Sequence, residues 1–153
     1  MQSRSLEVRV WVAALSLQSE LYRLLNRALS RECGLTLAKY DFLAQIHGLR
    51  DGLTLGDLTR KLKVTGGNVT GLAKRLIADG FITREPTPTD RRSFIARITP
   101  QGAAAFEAAR ARHDCLVQEW LGGSAPPQDL ENTLATLEKM RSALAKGGAA
   151  NAK

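Results

Sequence analysis

The chain has 153 residues, enough for one domain with a substantial core but too few for two independently folded domains. It carries 22 Lys and Arg against 15 Asp and Glu, a formal charge of +7, which favours a polyanionic partner. Nearly the whole excess lies from Arg60 to Arg97, where nine basic residues face three acidic ones. A solvated basic face without a partner is the alternative that charge alone leaves open. No apolar stretch approaches the ~20 residues of a membrane span, so we expect no membrane-spanning helix.

The two cysteines and two histidines are isolated from one another along the chain. Cys33 and Cys115 lack any paired spacing, which predicts neither a disulfide framework nor a metal site and fits a reducing cytoplasm. His47 and His113 belong to no HExxH or nucleophile and base pattern. We therefore expect a cytoplasmic protein that is not an enzyme and has no cofactor.

The first predicted element is a long amphipathic helix over residues 6–32, whose apolar residues recur at steps of three and four. A second apolar stripe, which includes Trp11 and Tyr22, lies on the neighbouring face. One short domain cannot easily cover both faces, so the helix favours a homodimer. Gly34 is expected to end this helix.

Three further helices are predicted before residue 80, each introduced by a threonine that can cap it. Thr36 precedes a helix that we expect to reach about residue 50. Thr54 precedes a short helix over 55–61, and Thr65 precedes the next one after a four-residue break. Two helices joined so tightly are typical of a helix-turn-helix.

The helix after Thr65 has two distinct predicted faces. Its buried face follows the spacing i, i+3, i+4, i+7 and i+8, through Val69, Leu72, Ala73, Leu76 and Ile77. Its exposed face carries Gly67, Thr70, Gly71 and Lys74, flanked by Asn68 and Arg75. Small and hydrogen-bonding residues near a helix N-terminus suit entry into the DNA major groove, where the helix dipole also favours phosphate.

Gly66 and Gly71 also have the spacing of the two glycines in a nucleotide-binding loop. Leu72 and Ala73 follow, however, where such a loop needs Lys and then Ser or Thr, and no strand precedes. The sequence therefore argues against nucleotide binding. Close approach to DNA explains these glycines better than packing does, although packing remains an alternative.

A β-hairpin, which we call the wing, is predicted from strands over 81–85 and 93–98. Its tip carries Asp90, Arg91 and Arg92. One arginine can pair with Asp90 while the other reaches a narrow minor groove. The alternative is an exposed salt bridge of little energetic value.

Two helices are predicted after the wing. Thr99 can cap, and Pro100 can open, a helix that extends to about Leu121. A last helix has a spacing typical of helix pairing, through Leu130, Thr133, Leu137, Met140 and Leu144. Residues 147–153 are expected to form a disordered tail.

The run from Leu55 to Gly102 resembles the MarR (multiple antibiotic resistance regulator) family. The residues that carry the resemblance are LGDLTRKLKVTGGNVTGLAKRLIADGFITREPTPTDRRSFIARITPQG, with Asp90-Arg91-Arg92 in the wing and Thr99-Pro100-Gln101-Gly102 after it. The resemblance implies a mainly α (α+β) winged helix-turn-helix with N- and C-terminal dimerisation helices. It places one domain at 1–146, with the winged helix at about 36–98 and the dimerisation helices at about 6–32 and 99–146.

The same resemblance implies a homodimeric repressor that binds double-stranded DNA and is released by a small, often aromatic, ligand or by thiol oxidation. It maps Thr65, Asn68, Thr70 and Lys74 to the helix that reads the major groove, and Asp90, Arg91 and Arg92 to the wing. Gly67 and Gly71 stand where family members often have larger residues, so base contacts are expected to be sparser here.

How the DNA complex is controlled is left open by the sequence. A ligand, aromatic or a coenzyme A thioester, can lie between the dimer helices and the winged helix, where Trp11, Tyr22, Tyr40 and His47 are candidate lining residues and equally candidates for the core. The rival switch is thiol oxidation. Cys33 lies at a helix C-terminus, which disfavours a thiolate, and Cys115 is expected to be packed. A winged-helix module that binds protein is a third alternative.

Overall fold

The computed structural model describes residues 5–62, 66–87 and 94–150, without the side chains of 66, 67 and 147–150. Over these ranges the elements are α1 (Leu6–Cys33), α2 (Leu37–Ile46), β1 (Leu53–Thr54), α3 (Leu55–Leu62), α4 (Gly66–Ala78), β2 (Ile82–Pro86), β3 (Phe94–Ile98), α5 (Pro100–Gly122) and α6 (Pro127–Ala150). The mainly helical winged-helix class predicted from the sequence is confirmed. In these ranges no helix combines the length and apolarity needed to cross a bilayer.

The ends of the first two helices follow from local sequence. Gly34 adopts the left-handed conformation, with φ of 65°, and its N–H donates to the Leu29 carbonyl, which ends α1 as predicted. The Thr36 hydroxyl accepts a hydrogen bond of 3.3 Å from the N–H of Lys39 at the start of α2. The expected end of α2 near residue 50 is wrong. His47 is already extended and Gly48 has φ of 76°, so the helix ends at Ile46.

The sheet has three antiparallel strands in the order β1-β3-β2. The wing is formed by β2 and β3, paired from Ile82 opposite Ile98 to Pro86 opposite Phe94. The two-residue strand β1 pairs Leu53 with Ala96 and was not predicted. Because β1 directly precedes α3, this pairing joins the start of α3 to β3, the second strand of the wing.

The core lies between α2, α3, α4 and the inner face of the sheet. Its fully or almost fully buried side chains include Phe42, Leu43, Ile46, Leu58, Val69, Ala73, Leu76, Ile82, Phe94 and Ala96. The predicted buried face of α4 and the inward alternation of β3 are thus confirmed, except that Ile77 and Ile98 are only half-buried. The opposite face of α4 is thereby turned to solvent.

The start of α5 also follows the prediction. The Thr99 hydroxyl accepts a hydrogen bond of 2.9 Å from the N–H of Gly102 and donates one of 2.8 Å to the Gly80 carbonyl. Gly102 is required here, because a Cβ at this position would lie 2.0 Å from the Phe81 carbonyl oxygen. The cap therefore joins α5 to the turn between α4 and the wing.

The chain divides into two compact units after His113, within α5. The second unit contains the end of α5 and the whole of α6, which begins at Pro127. Since α6 continues to Ala150, residues 147–150 are helical, contrary to the disordered tail expected there. Residues 151–153 lie outside the described residues.

Candidate nucleic-acid interface

Helix α4 divides sharply into an apolar and a polar side. Val69, Ala73 and Leu76 have no exposed surface. Asn68, Lys74 and Arg75 are exposed, whereas Thr70 and Gly71 are half-buried. Thr65 and the surroundings of Gly67 lie outside the described residues. Of the predicted DNA contacts on this helix, the structure therefore gathers five on the side away from the core.

Arg75 folds back along α4 towards Gly71. A Cβ built on Gly71 would lie 3.8 Å from Nη1 of Arg75, which is an ordinary van der Waals contact. The guanidinium therefore lies over the preceding turn of α4, on surface that a larger side chain in place of Gly71 would occupy. This places a cation beside the small residues of the exposed face.

An ion pair joins α2 to the residue after α4, and a threonine caps the start of α3. Nζ of Lys39 on α2 lies 2.5 Å from a carboxylate oxygen of Asp79, directly after α4. The Thr54 hydroxyl accepts a hydrogen bond of 3.2 Å from the N–H of Asp57 and donates one of 2.6 Å to its carboxylate. This second bond lowers the pKa of Asp57, helped by the nearby Arg60. The predicted cap of α3 is thereby confirmed.

The structure describes the base of the wing. The guanidinium carbon of Arg84 lies 4.9 Å from the ring centre of Phe94, a cation-π contact between the two strands. On the other face of the sheet, Arg97 lies between β2 and the loop before β1, with its Nε 2.9 Å from Oε2 of Glu85. The predicted tip residues Asp90, Arg91 and Arg92 lie outside the described residues.

Two of the basic residues counted in the sequence form ion pairs within the described part of the chain. Arg60 forms an ion pair with Asp57, and Arg97 forms one with Glu85. Their charges are therefore less available to a polyanion than the sequence count suggests. Sequence reasoning missed the pair of Arg97 with Glu85, although both residues lie on the outward side of their strands.

An aromatic cluster, which we call the ring ladder, joins α2 to α5. Tyr40 stacks between Phe106 and His113, with ring centres 5.2 and 4.9 Å away, and Phe106 also contacts His47 at 4.6 Å. Phe106 and His113 are seven residues apart on one face of α5, whereas Tyr40 lies on α2 and His47 is the extended residue directly after it. The structure thus brings together two of the four predicted ligand-pocket residues.

Trp11 and Tyr22, the other two predicted pocket residues, lie on the exposed part of α1. Trp11 is 64% exposed and Tyr22 42% exposed. Neither belongs to the ring ladder, whose other members Phe106 and His113 were not among the predicted pocket residues. A pocket made of all four predicted residues is therefore not assembled by this chain alone.

Charged groups line the ring ladder. Nε2 of His47 lies 3.0 Å from Oε1 of Glu107. Burial raises the pKa of Asp41, an effect that the nearby His113 partly opposes. An imidazole thus contacts a carboxylate at the His47 end of the ladder, and the carboxyl group of Asp41 lies near the imidazole at the other end.

The two cysteines lie in different surroundings. Cys33 is half-buried at the end of α1, and the preceding Arg31 and Glu32 pair with each other at 2.9 Å. Cys115 is exposed, so the expectation that it is packed is wrong. It lies about 100° around α5 from Leu116, which is buried.

Comparison with known proteins identifies related sequences. A model of the MarR family matches residues 34–93. The multiple antibiotic resistance protein MarR of Salmonella typhimurium is 34% identical over 90 residues, which are 59% of this chain and 61% of that protein. The transcriptional activatory protein BadR of Rhodopseudomonas palustris is 34% identical over 89 residues, or 57% and 50% of the two chains. The match thus spans one half to two thirds of these curated relatives.

Solved structures resemble nearly the whole chain. A MarR family transcriptional regulator from Silicibacter pomeroyi is 36% identical with a TM-score of 0.78, over 90% of this chain and 94% of that one. Sco3205 from Streptomyces coelicolor, a MarR family regulator solved in complex with DNA, has a TM-score of 0.79 over 96% and 91% of the two chains. Its identity of 21% shows the shared fold alone.

The winged-helix fold, with a polar face on the second helix of the helix-turn-helix, defines a DNA-binding transcriptional regulator. Proteins of this class act by binding DNA. The family model and the Silicibacter pomeroyi regulator, which is similar over nearly its full length, identify the family of this chain. This chain belongs to the MarR family.

Proposed function

We propose that this MarR-family protein is a homodimeric repressor whose two copies each insert α4 into the major groove of a pseudo-palindromic operator. The observation that carries the proposal is the division of α4 into a fully buried apolar side and an exposed side bearing Asn68, Lys74 and Arg75. A helix fixed so firmly on one side can present the other to DNA without reorganising the fold.

The DNA contacts follow from residue chemistry. For the major groove we assign Thr65, Gly67, Asn68, Thr70, Gly71, Lys74 and Arg75, and for the wing Asp90, Arg91 and Arg92. Asn68 can bond base edges, the glycines allow close backbone approach, and Lys74 and Arg75 can bind phosphate or guanine. The arginines of the wing suit the minor groove.

The homodimer is supported by apolar surface at both ends of the chain. On α1 the exposed apolar residues are Leu6, Val8, Val10, Trp11, Val12, Leu15, Leu17 and Tyr22, and on α6 they are Leu134, Leu137, Met140 and Leu144. So much exposed apolar surface is unusual for a monomer and typical of an interface between chains. Two copies would then read half-sites ~10 base pairs apart.

Control by a small ligand is the second part of the proposal. The ring ladder offers Tyr40 and His47 to an aromatic group or a coenzyme A thioester, and Trp11 and Tyr22 can complete the site once a partner chain covers α1. A ligand that binds one spacing of the two copies more tightly would shift the population towards that spacing. If the ligand favours a spacing that does not fit the operator, the dimer releases the DNA.

Thiol control is the alternative that one observation favours. Cys115 is exposed on this chain, so an oxidant can reach it unless a partner covers it. A Cys115→Ser variant that still releases DNA with a peroxide would exclude Cys115 as the sensing thiol. Release of DNA by aromatic acids or their thioesters, without oxidant, supports control by a ligand.

Fluorescence polarisation with DNA from upstream of the gene for this protein tests the proposal. Lys74→Ala should weaken binding and reduce the slope of log affinity against log salt by about 1, because one phosphate contact is lost. The matched control is Lys139→Ala, which removes the same charge from an exposed position on α6 and should leave the slope unchanged. Equal affinity of the wild-type protein for operator and scrambled DNA would refute the proposal.

A further inference from the structure

Arg97 makes contacts on both sides of the central strand of the sheet. Towards β2, its Nε lies 2.9 Å from Oε2 of Glu85, within ion-pair distance but without the alignment of a hydrogen bond. Towards β1, its Nη1 donates to the carbonyl of Arg50 and lies 3.9 Å from Oδ1 of Asp51. One guanidinium on β3 thus contacts both β2 and the loop before β1.

The loop before β1 is shaped to fit under this side chain. Gly52 has φ of 65°, and a Cβ there would lie 2.9 Å from Cγ of Arg97 and 2.3 Å from the Ala96 carbonyl oxygen. Only glycine allows the loop to pass so close to β3 while the carbonyl of Arg50, two residues earlier, accepts from Arg97. The arginine and the glycine therefore form one packed arrangement.

The arrangement leaves Arg97 poorly suited to bind DNA itself. Its side chain is 30% exposed, and Nε is buried. Glu85 neutralises its charge, and the Arg50 carbonyl accepts from the guanidinium. Two of the three guanidinium nitrogens are thus already engaged within the fold, which leaves Arg97 less available to a phosphate.

We propose that Arg97 is a positioning residue of the wing, whose guanidinium clamps Glu85 of β2 and the Arg50 carbonyl to β3 and so sets the direction in which the hairpin leaves the fold. Glu85, though acidic and close to the proposed DNA interface, then strengthens DNA binding because it holds the clamp. The inference rests on the proposed DNA-binding function and adds to it two residues that do not contact DNA.

The clamp and a simple charge effect predict opposite signs. Glu85→Gln removes a negative charge beside the wing, so charge alone predicts tighter DNA binding, whereas loss of the clamp predicts binding weakened about two- to five-fold. Arg97→Lys keeps the charge but lacks the planar fork that can reach both partners, so it should weaken binding by a similar factor. The salt slope should stay as in the wild type for Arg97→Lys.

Asp51→Asn is the matched control, since it removes the same charge from the same region. Asp51 is 96% exposed and 3.9 Å from Arg97, so it adds little to the clamp. This variant should bind DNA as tightly as the wild type or more tightly. Tighter or unchanged binding by Glu85→Gln, or unchanged binding by Arg97→Lys, would overturn the inference.

Hydrogen exchange of the free protein separates this inference from the proposed function. If the clamp holds β2, Glu85→Gln should speed exchange of the amides from Ile82 to Glu85, while circular dichroism shows the helices intact. Unchanged exchange would overturn the clamp even if the protein binds DNA. Equal binding of operator and scrambled DNA by the wild type would overturn the proposed function, whatever the exchange shows.

Discussion

The fit of Gly52 under β3 can be tested by replacing it with alanine. Both Gly52 and Gly48 have positive φ, of 65° and 76°, so alanine at either position incurs the left-handed strain of about 1–2 kcal/mol. At Gly48 nothing lies within 4 Å of the added Cβ, whereas at Gly52 the Ala96 carbonyl oxygen lies 2.3 Å away. Only Gly52→Ala therefore forces the backbone of β3 to move.

We expect Gly48→Ala to lower the free energy of unfolding by about 1–2 kcal/mol, and Gly52→Ala to lower it by about 3–5 kcal/mol because overpacking adds to the strain. Urea denaturation followed by circular dichroism measures both, with equal m-values as the check that the compared states are alike. Equal losses at the two positions would refute the claim that the loop is packed against β3.

Two other predictions concern α1 and α6. Hydrogen bonds from Arg112 and Arg31 hold the pKa of Glu32 at about 2, below its usual 4.5, so the stabilisation is complete above pH ~4.5 and is lost as the pH falls towards 2. Glu32→Gln should therefore be less stable than the wild type at pH 7 in urea denaturation, with the difference shrinking below pH 4.5; a constant difference would contradict the ion pairs. Leu144→Glu, at a position 76% exposed, should shift sedimentation from dimer towards monomer, whereas Ser142→Glu, also exposed on α6, should not. A Leu144→Glu protein that sediments as a full dimer would exclude that part of α6 from the interface.

Features set by local chemistry were predictable from the sequence. Gly34 and the capping hydroxyls of Thr36, Thr54 and Thr99 act on residues within a few positions, so the pattern alone located those helix ends. The buried side of α4 was predictable as well, because Val69 to Leu76 follow a helical period. These elements define most of the winged helix.

Features that depend on distant partners were not predictable. The two-residue β1 exists because Leu53 meets Ala96, and the clamp exists because Arg97 meets Glu85 and Arg50. The apolar Leu49 prolonged the helical pattern of α2, but the backbone turns at Gly48, where φ is 76°.

The same limit applied to the candidate ligand site. Tyr40 and His47 belong to the ring ladder only through Phe106 and His113, which lie far along the chain on α5. Trp11 and Tyr22 share an apolar stripe with the core of α1, yet this chain leaves them exposed. In our proposal, the partner chain therefore decides which aromatic residues of α1 line a pocket.

Native mass spectrometry of the protein, mixed with equal amounts of the upstream duplex and a scrambled duplex of the same length, tests the central claim most directly. We predict complexes of two chains with one upstream duplex, in clear excess over any complex with the scrambled duplex. Single chains on DNA, or equal occupancy of the two duplexes, would contradict a dimer that presents paired α4 helices to a specific operator.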